Sequence, residues 1–316
     1  MVFLFICTSL LLLATLLPLS RSKRWWVRNW AFLRQHIFVS ASVLLVGSFL
    51  FLDNGLQYAI FGVLLTGIIL YQASWLYTYT KVKKVTVPQL EADVTKDLTL
   101  LASNVQMKNS EYKEVSTLIQ TEKPDVLFLM ETDQKWFDGL GSVLEGYKTV
   151  AKELKDNCYG CVFATNLKVI DVNIHYIAGD DTPSVHATLE DKNGQTFIFR
   201  GLHPRPPLPG KTSKKRDEEL RQTARFAREN KVPEIVMGDF NDVVWSRNSA
   251  NFKKIGKYLD PQVGRGCIKS FHARFKFLRF PIDQLYVTTG VSLVEMYRGP
   301  FVGSDHFPII AKMRLD

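Results

Sequence analysis

The chain has 316 residues, enough for one large domain or two, and its 40 Lys and Arg against 31 Asp and Glu give a net charge of +9. The charge is unevenly placed. Residues 1–52 hold five cations and no acid, residues 53–84 hold three Lys against Asp53, and the remainder carries only +2, which excludes a long basic groove for duplex nucleic acid. Four cysteines are too few for a disulfide scaffold, and Cys158-Tyr-Gly-Cys161 has no second pair with which to build a zinc site.

Met1–Ser20 contains no charged side chain; Ile37–Leu52 and Tyr58–Trp75 are two further uncharged runs. A helix rising about 1.5 Å per residue needs roughly 20 residues to cross the hydrocarbon core of a bilayer. Three membrane spans are therefore expected within residues 1–80, the second extended by His36, with Asp53-Asn-Gly-Leu56 as a tight turn between the second and third. Met1–Ser20 lacks the basic start and small-x-small site of a cleaved signal peptide. The basic stretches Arg21–Arg34 and Lys81–Lys84 fall on one side, which the positive-inside rule makes cytoplasmic. Trp25, Trp26, Trp30, Trp75, Tyr77 and Tyr79 would form aromatic belts at that face. Residues 81–96, with Pro88 and mixed charge, read as a linker to a domain over 97–316.

Within that domain, Leu98–Val105 is an apolar run of buried-strand type ending at Asn104. Ser110–Thr121 follows as a helix with Ser110 as N-cap, and Asp125–Met130 as a strand ending at Glu131. A helix from Asp133 leads to strands near 160–165, 168–176, 185–189 and 196–202, the last ending at His203 before Pro204-Arg-Pro-Pro207. Thr212–Glu229 is a charged helix with Leu220, Ala224 and Ala227 inward. Ile235–Asp239 is a short buried strand stopped by Gly238, with Asp239 and Asn241 on one side by strand alternation. Strands at 282–287, beginning beside Asp283, at 291–296 and at 307–313, the last preceded by Gly303-Ser-Asp-His306, complete an α+β sandwich.

Singly, each polar strand end has an ordinary structural explanation: a turn for Asn104 or Asp239 and Asn241, a cap for Glu131, an ion pair with Arg279 for Asp283. Together they match one chemistry. Glu, Asp and Asn oxygens suit Mg²⁺ or Mn²⁺, a carboxylate orients or deprotonates water, and a protonated His offsets charge growing on a phosphorane. No Gly-rich phosphate loop is present.

The order Asn104, Glu131, His203-Pro204, Gly238-Asp-Phe-Asn241, Ile282-Asp-Gln284 and Gly303-Ser-Asp-His306 resembles the endonuclease/exonuclease/phosphatase, or deoxyribonuclease I-like, superfamily over roughly residues 97–316. The N-terminal spans and the His-Pro-Arg-Pro-Pro run are similar to its membrane-anchored bacterial members. The resemblance implies a four-layer sandwich of two β-sheets flanked by helices, preceded by transmembrane helices, with the site at the strand ends. It implies Glu131 as the principal metal ligand, helped by Asn104 and Asp305, and Asp239 on the attacking water. Asn241 would hold the phosphate, and His306, oriented by Asp283, would stabilise the transition state. His203 stands where deoxyribonucleases carry a second phosphate-contacting histidine, without the glutamate that partners it there. The expected protein is thus a Mg²⁺- or Mn²⁺-dependent phosphoric ester hydrolase, multi-pass in a cell inner membrane with its catalytic domain cytoplasmic. Its substrate would be a phospholipid, an inositol phosphate or, alternatively, DNA or RNA. A non-catalytic membrane scaffold retaining the fold is the remaining alternative. The aromatic-basic run Phe271–Phe280 could stack on bases or rest on a membrane surface.

Overall fold

A computed structural model describes residues 2–20, 22–51, 55–179, 181–210 and 212–316. Its N-terminal helices are α1 (Val2–Leu16), α2 (Trp25–Arg28), α3 (Arg34–Phe51) and α4 (Leu56–Leu76). Two stretches, Val2–Leu19 and Leu56–Tyr79, are long and apolar enough to cross a membrane. Trp25–Ala31 and Arg34–Leu50 qualify as a third span when taken together, across a 65° bend. The turn expected at residues 53–56 lies partly outside the described residues.

The rest of the chain builds two sheets from β1 (Leu98–Asn104), β2 (Val126–Met130), β3 (Thr149–Glu153), β4 (Cys161–Thr165), β5 (Lys168–His175), β6 (Ser184–Glu190), β7 (Thr196–Leu202), β8 (Glu234–Asp239), β9 (Asp283–Val287), β10 (Val291–Arg298) and β11 (Ile309–Leu315). The strand orders are β10-β11-β1-β2-β4-β3 and β5-β6-β7-β8-β9. The inward faces of both meet in one core, including Leu100, Phe128, Phe163, Phe199, Met237 and Leu285. Helices α5 (Tyr112–Glu122), α6 (Gln134–Gly139) and α7 (Gly141–Leu144) contribute Val115, Trp136 and Leu144 to a cluster on the outer face of the first sheet. Helices α8 (Lys214–Glu229) and α9 (Arg247–Gly256) cover the second, through Leu220, Ala224 and Phe252. The expected sandwich of two helix-flanked sheets is the observed architecture.

Among the described residues only two strand pairs are parallel, β1 with β2 and β7 with β8. Each is joined by a helical crossover, as parallel neighbours require. Both pairs therefore point their C-terminal ends the same way along their crossovers, and Asn104, Glu131, His203 and Asp239 stand at those four ends. The crossover topology, rather than any local motif, brings residues up to 135 positions apart into hydrogen-bonding reach.

Some local expectations fail. Helix α5 starts after Glu111, whose side chain makes no capping bond, so Ser110 is not its N-cap. The 212–229 helix starts at Lys214, and it buries Arg216 and Glu219 beside the expected Leu220, Ala224 and Ala227. Strand β3 and helix α9 were not anticipated. In the 81–96 stretch Val87 is fully buried in the main core, and Gln89 pairs with Leu293.

Tyr79 does not sit in an aromatic belt. Its hydroxyl lies 2.8 Å from the Val244 carbonyl oxygen and 3.0 Å from Asp260 Oδ2, sharing its one proton between them, and it accepts from Lys253 at 2.7 Å. Nearby, Trp245 Nε1 donates to the Ala31 carbonyl at 2.9 Å, and Arg28 pairs with Asp217 at 3.4 Å. An apolar cluster of Ala31, Tyr79, Val243, Val244, Trp245 and Ile282 joins the helical segment to the sandwich. Arg247 Nη1 donates to the Leu19 carbonyl at 3.3 Å, so the chain just after α1, just before α3 and just after α4 all meets the domain.

Candidate active site

Strand β8 ends in a close approach that only glycine permits. Gly238 has φ +148°, and a Cβ there would lie 2.0 Å from the Leu202 carbonyl oxygen of β7. The next residue, Asp239, is 1 % exposed and at the centre of the constellation. Its Oδ1 accepts from the Asn241 amide at 2.8 Å. Its Oδ2 accepts from Asn104 Nδ2 at 3.2 Å and lies 3.6 Å from His306 Nε2 and 3.7 Å from His203 Nε2.

Asn241 reaches the site by a route other than strand alternation. It follows the strand in the left-handed region, at φ 50°, closing an Asx turn on Asp239. One N–H of its carboxamide goes to the Pro204 carbonyl at 3.0 Å, which fixes the side chain and leaves the second N–H. Glu131 is also left-handed, at φ 61°, and directly follows β2. Its two oxygens accept from Asn104 Nδ2 at 2.9 Å and from the Met107 amide at 3.3 Å. Strain of this kind in two non-glycine residues of one site is a common mark of function.

His306 is set from behind by Asp283, which lies opposite Asp239 in the β8–β9 ladder. Its Nδ1 is 2.8 Å from Asp283 Oδ2. Burial would lower the His306 pKa, but the Asp283 and Asp239 carboxylates outweigh it and raise it well above the ordinary histidine value, so the ring is cationic. Burial raises Asp239, opposed by the charge of His306, leaving a carboxylate more basic than usual. His203 is lowered by burial, and its Nδ1 has no hydrogen-bond partner. Among the described residues no glutamate bonds this ring.

Glu131, His203, Asp239, Asn241, Asp305 and His306 line one cleft of about 650 Å³. Asn104 and Asp283 lie immediately behind it, bonded to lining residues. All eight candidate residues are therefore gathered in one place. Ser304 belongs to the Gly303-Ser-Asp-His306 motif but has no role assigned from the sequence; its hydroxyl donates to the Asn104 carbonyl at 2.7 Å and accepts from the His306 amide at 3.0 Å, tying two motifs together. Sequence reasoning missed Tyr159, whose ring packs 5.7 Å from that of His203, and Arg205, which lies over Tyr159 and pairs with Asp181. Arg205 stood in view within the His-Pro-Arg-Pro-Pro run; Tyr159 carried no signal.

Two acidic groupings invite a cation. Asp239, Asp283 and His306 bring ligand atoms within 4.8 Å of one another. Within that grouping His306 Nδ1 is already 2.8 Å from Asp283 Oδ2. Glu131 and Asp305 line the same cleft as Cys158, whose thiol is raised by burial and by Glu131, with Lys108 opposing and Asp305 adding to the rise. The two carboxylates are oxygen donors of the kind hard divalent cations prefer, while Asn104 turns its Nδ2 to Glu131 and its oxygen accepts from the Gln106 amide at 3.0 Å.

Comparison with solved structures gives the same fold. The chain is similar to an endonuclease/exonuclease/phosphatase from Bacteroides vulgatus at 19 % identity and TM-score 0.56, covering 70 % of this chain and 99 % of that one. It is similar to D. rerio TDP2, solved as a complex with single strand DNA product, at 16 % identity and TM-score 0.56, covering 69 % and 99 %. A functionally unknown conserved protein from Enterococcus faecalis V583 matches at 16 % identity and TM-score 0.56, covering 69 % and 100 %. No curated protein matches by sequence. The sequence pattern of the Endonuclease/Exonuclease/phosphatase family matches residues 101–306, which runs from β1 to the last site histidine. The chain belongs to the endonuclease/exonuclease/phosphatase family.

Proposed function

We propose that the protein is a membrane-anchored, divalent-metal-dependent phosphoric ester hydrolase that attacks phosphorus with water. The observation that carries this reading is Asp239, a buried basic carboxylate facing one cationic and one neutral imidazole across the floor of an open cleft. Glu131, helped by Asn104 and Asp305, would hold Mg²⁺ (or Mn²⁺). Such an ion, when bound, polarises a phosphoryl oxygen and neutralises its charge.

The chain's own groups do the rest. Asp239 takes the proton of the attacking water, its basicity raised by burial. Asn241 offers its remaining N–H to a phosphoryl oxygen, held in place by Asp239 and Pro204. His306 donates from Nε2 to the oxygen that gains charge, while Asp283 holds Nδ1 and keeps the ring protonated. His203, neutral, supplies a further hydrogen-bonding nitrogen.

Hydrolysis of bis(4-nitrophenyl) phosphate by the full chain in detergent tests this. Activity should need Mg²⁺ or Mn²⁺, vanish in EDTA, disappear in an Asp239→Asn variant, and fall sharply in Glu131→Gln at the Mg²⁺ level that saturates the wild type, with both variants still melting cooperatively. Persistent activity in Asp239→Asn rules the mechanism out. The likeness to TDP2 bound to single strand DNA product favours a nucleic acid as the second substrate reading, which a single-stranded oligonucleotide offered in the same assay would reveal. Complete inactivity on every phosphoester would instead support a scaffold.

A further inference from the structure

The stretch Phe271–Phe280 begins and ends in the domain. Phe271 pairs with Phe280 and with His306, packing its ring 4.8 Å from that of His306. Between these anchors the chain projects a tip in which Phe275, Phe277 and Leu278 are 58, 91 and 50 % exposed. So large an exposed aromatic cluster is unusual on a surface that meets only water.

The tip is fixed against the start of α3. His36 Nε2 is 2.6 Å from the Phe277 carbonyl oxygen, and Phe280 packs edge-on to Phe32 at 5.4 Å. If α3 spans, its first turn lies at the membrane surface, and Phe277 lies there with it.

Beside the tip is a pocket of about 420 Å³ lined by Lys269, Lys276, Arg279, Arg298, Cys267 and Ile268. Four of those six residues are cations and none is an acid. Lys269 Nζ also reaches Gln35 on α3 at 2.5 Å, so the pocket opens beside the same helix. Arg279 and Arg298 both lie over the Phe307 ring, at 4.9 and 4.3 Å, and Arg298 is lowered by burial and by its neighbour Arg279. Arg279 donates to the His272 and Ala273 carbonyls and Arg298 to that of Lys269, but no lining carboxylate offsets the four charges, which leaves them to attract an anion from outside.

We propose that this face docks on the bilayer, the Phe275–Leu278 tip entering the headgroup region and the Lys269, Lys276, Arg279 and Arg298 pocket taking the phosphate of an anionic phospholipid. Aromatic tips with flanking cations suit the interface, and basic pockets beside spans suit anionic headgroups. Docking would hold Phe271, and through it one wall of the catalytic cleft, at a fixed height over the lipid surface. The inference rests on the membrane-anchored reading, but not on the substrate.

Native mass spectrometry of the full chain released from detergent tests it, with phosphatidylglycerol, phosphatidylcholine or inorganic phosphate added. The wild type should retain phosphatidylglycerol at least tenfold better than phosphatidylcholine, and phosphate alone should not compete. Arg279→Gln with Arg298→Gln should abolish that preference. If this pair does not fold, Lys276→Gln, at an exposed side chain, should weaken it measurably. In vesicles, a Phe277→Trp variant should gain fluorescence that brominated acyl chains quench. Equal retention of both lipids, competition by free phosphate, or an unquenched indole at 277 overturns the proposal. Resistance to alkaline carbonate extraction is read separately: a chain that washes off has lost the anchored reading itself, whereas an integrated chain without lipid preference has lost only the docking face.

Discussion

Asp283 Oδ2 lies 2.8 Å from Nδ1 of His306, and Nε2 of the same ring looks at Asp239 from 3.6 Å. One imidazole thus bridges two buried carboxylates, which is what keeps it cationic. Replacing Asp283 by Asn preserves the shape and removes one of the two charges. Hydrolysis should fall by roughly 10²–10³-fold in kcat, the usual cost of losing one aligned donor to a charge-bearing oxygen. KM for a soluble diester should change little. A kcat within threefold of wild type would remove the orienting role.

Glu131 and Asp239 share the Asn104 carboxamide, at 2.9 and 3.2 Å, yet are assigned different work. Glu131→Gln should raise the Mg²⁺ concentration needed for half-maximal activity, by tenfold or more, and recover partly at high Mn²⁺. Asp239→Asn should lose turnover at every metal concentration. Metal titrations of the two variants decide the matter: identical curves would merge the roles.

Glu219 is buried on α8, accepting from Ser184 at 2.9 Å and Thr182 at 3.1 Å. Burial, opposed by those hydroxyls and by Arg205, raises its carboxyl from 4.5 to about 7. The folded state therefore binds the proton more tightly than the unfolded one. Its contribution is complete below about pH 4.5 and is lost as pH rises through 7, a change of about 3 kcal/mol. Glu219→Gln should flatten this slope and stabilise the protein at pH 8. Denaturant melts at pH 5 and 8 measure it; parallel slopes in both proteins would exclude Glu219 as the source.

Gly238→Ala should be among the costliest single changes in the domain. The added methyl meets the Leu202 carbonyl in a backbone conformation that side chains avoid, at about 3 kcal/mol or more. Strands β7 and β8 must then separate, and Asp239 moves with them. Thermal melting should show the loss, and a variant as stable as wild type would mean that the close approach is relaxed in solution.

The apolar runs of β1, β2, β7 and β8 made the site legible in the sequence, because each run stops at a polar residue that topology then gathers. Residues that act through left-handed backbone were legible in identity but not in geometry: the position of Asn241 depends on an Asx turn, not on strand period. Strand β3 alternates half-buried with exposed residues at the sheet edge, and α9 carries few apolar side chains, so neither gave a clear period. Least legible were pairings across great sequence distance. Tyr79 and Asp260 are 181 residues apart, and nothing local in either marks the other.

That pairing makes a prediction about the N-terminal helices. Tyr79, Asp260 and Lys253 form one network, and removing the hydroxyl leaves Asp260, 2 % exposed, with a lost donor. Tyr79→Phe should cost about 1–3 kcal/mol, the range for stranding a buried polar partner. Removing residues 1–80 should cost more, because Val243, Val244, Trp245 and Ile282 lose the apolar cover of Ala31 and Tyr79. The truncated chain should melt well below the full chain. Equal melting temperatures would show that the domain stands independently of its helices, and the contacts around Tyr79 and Trp245 would then be a tether without energetic consequence.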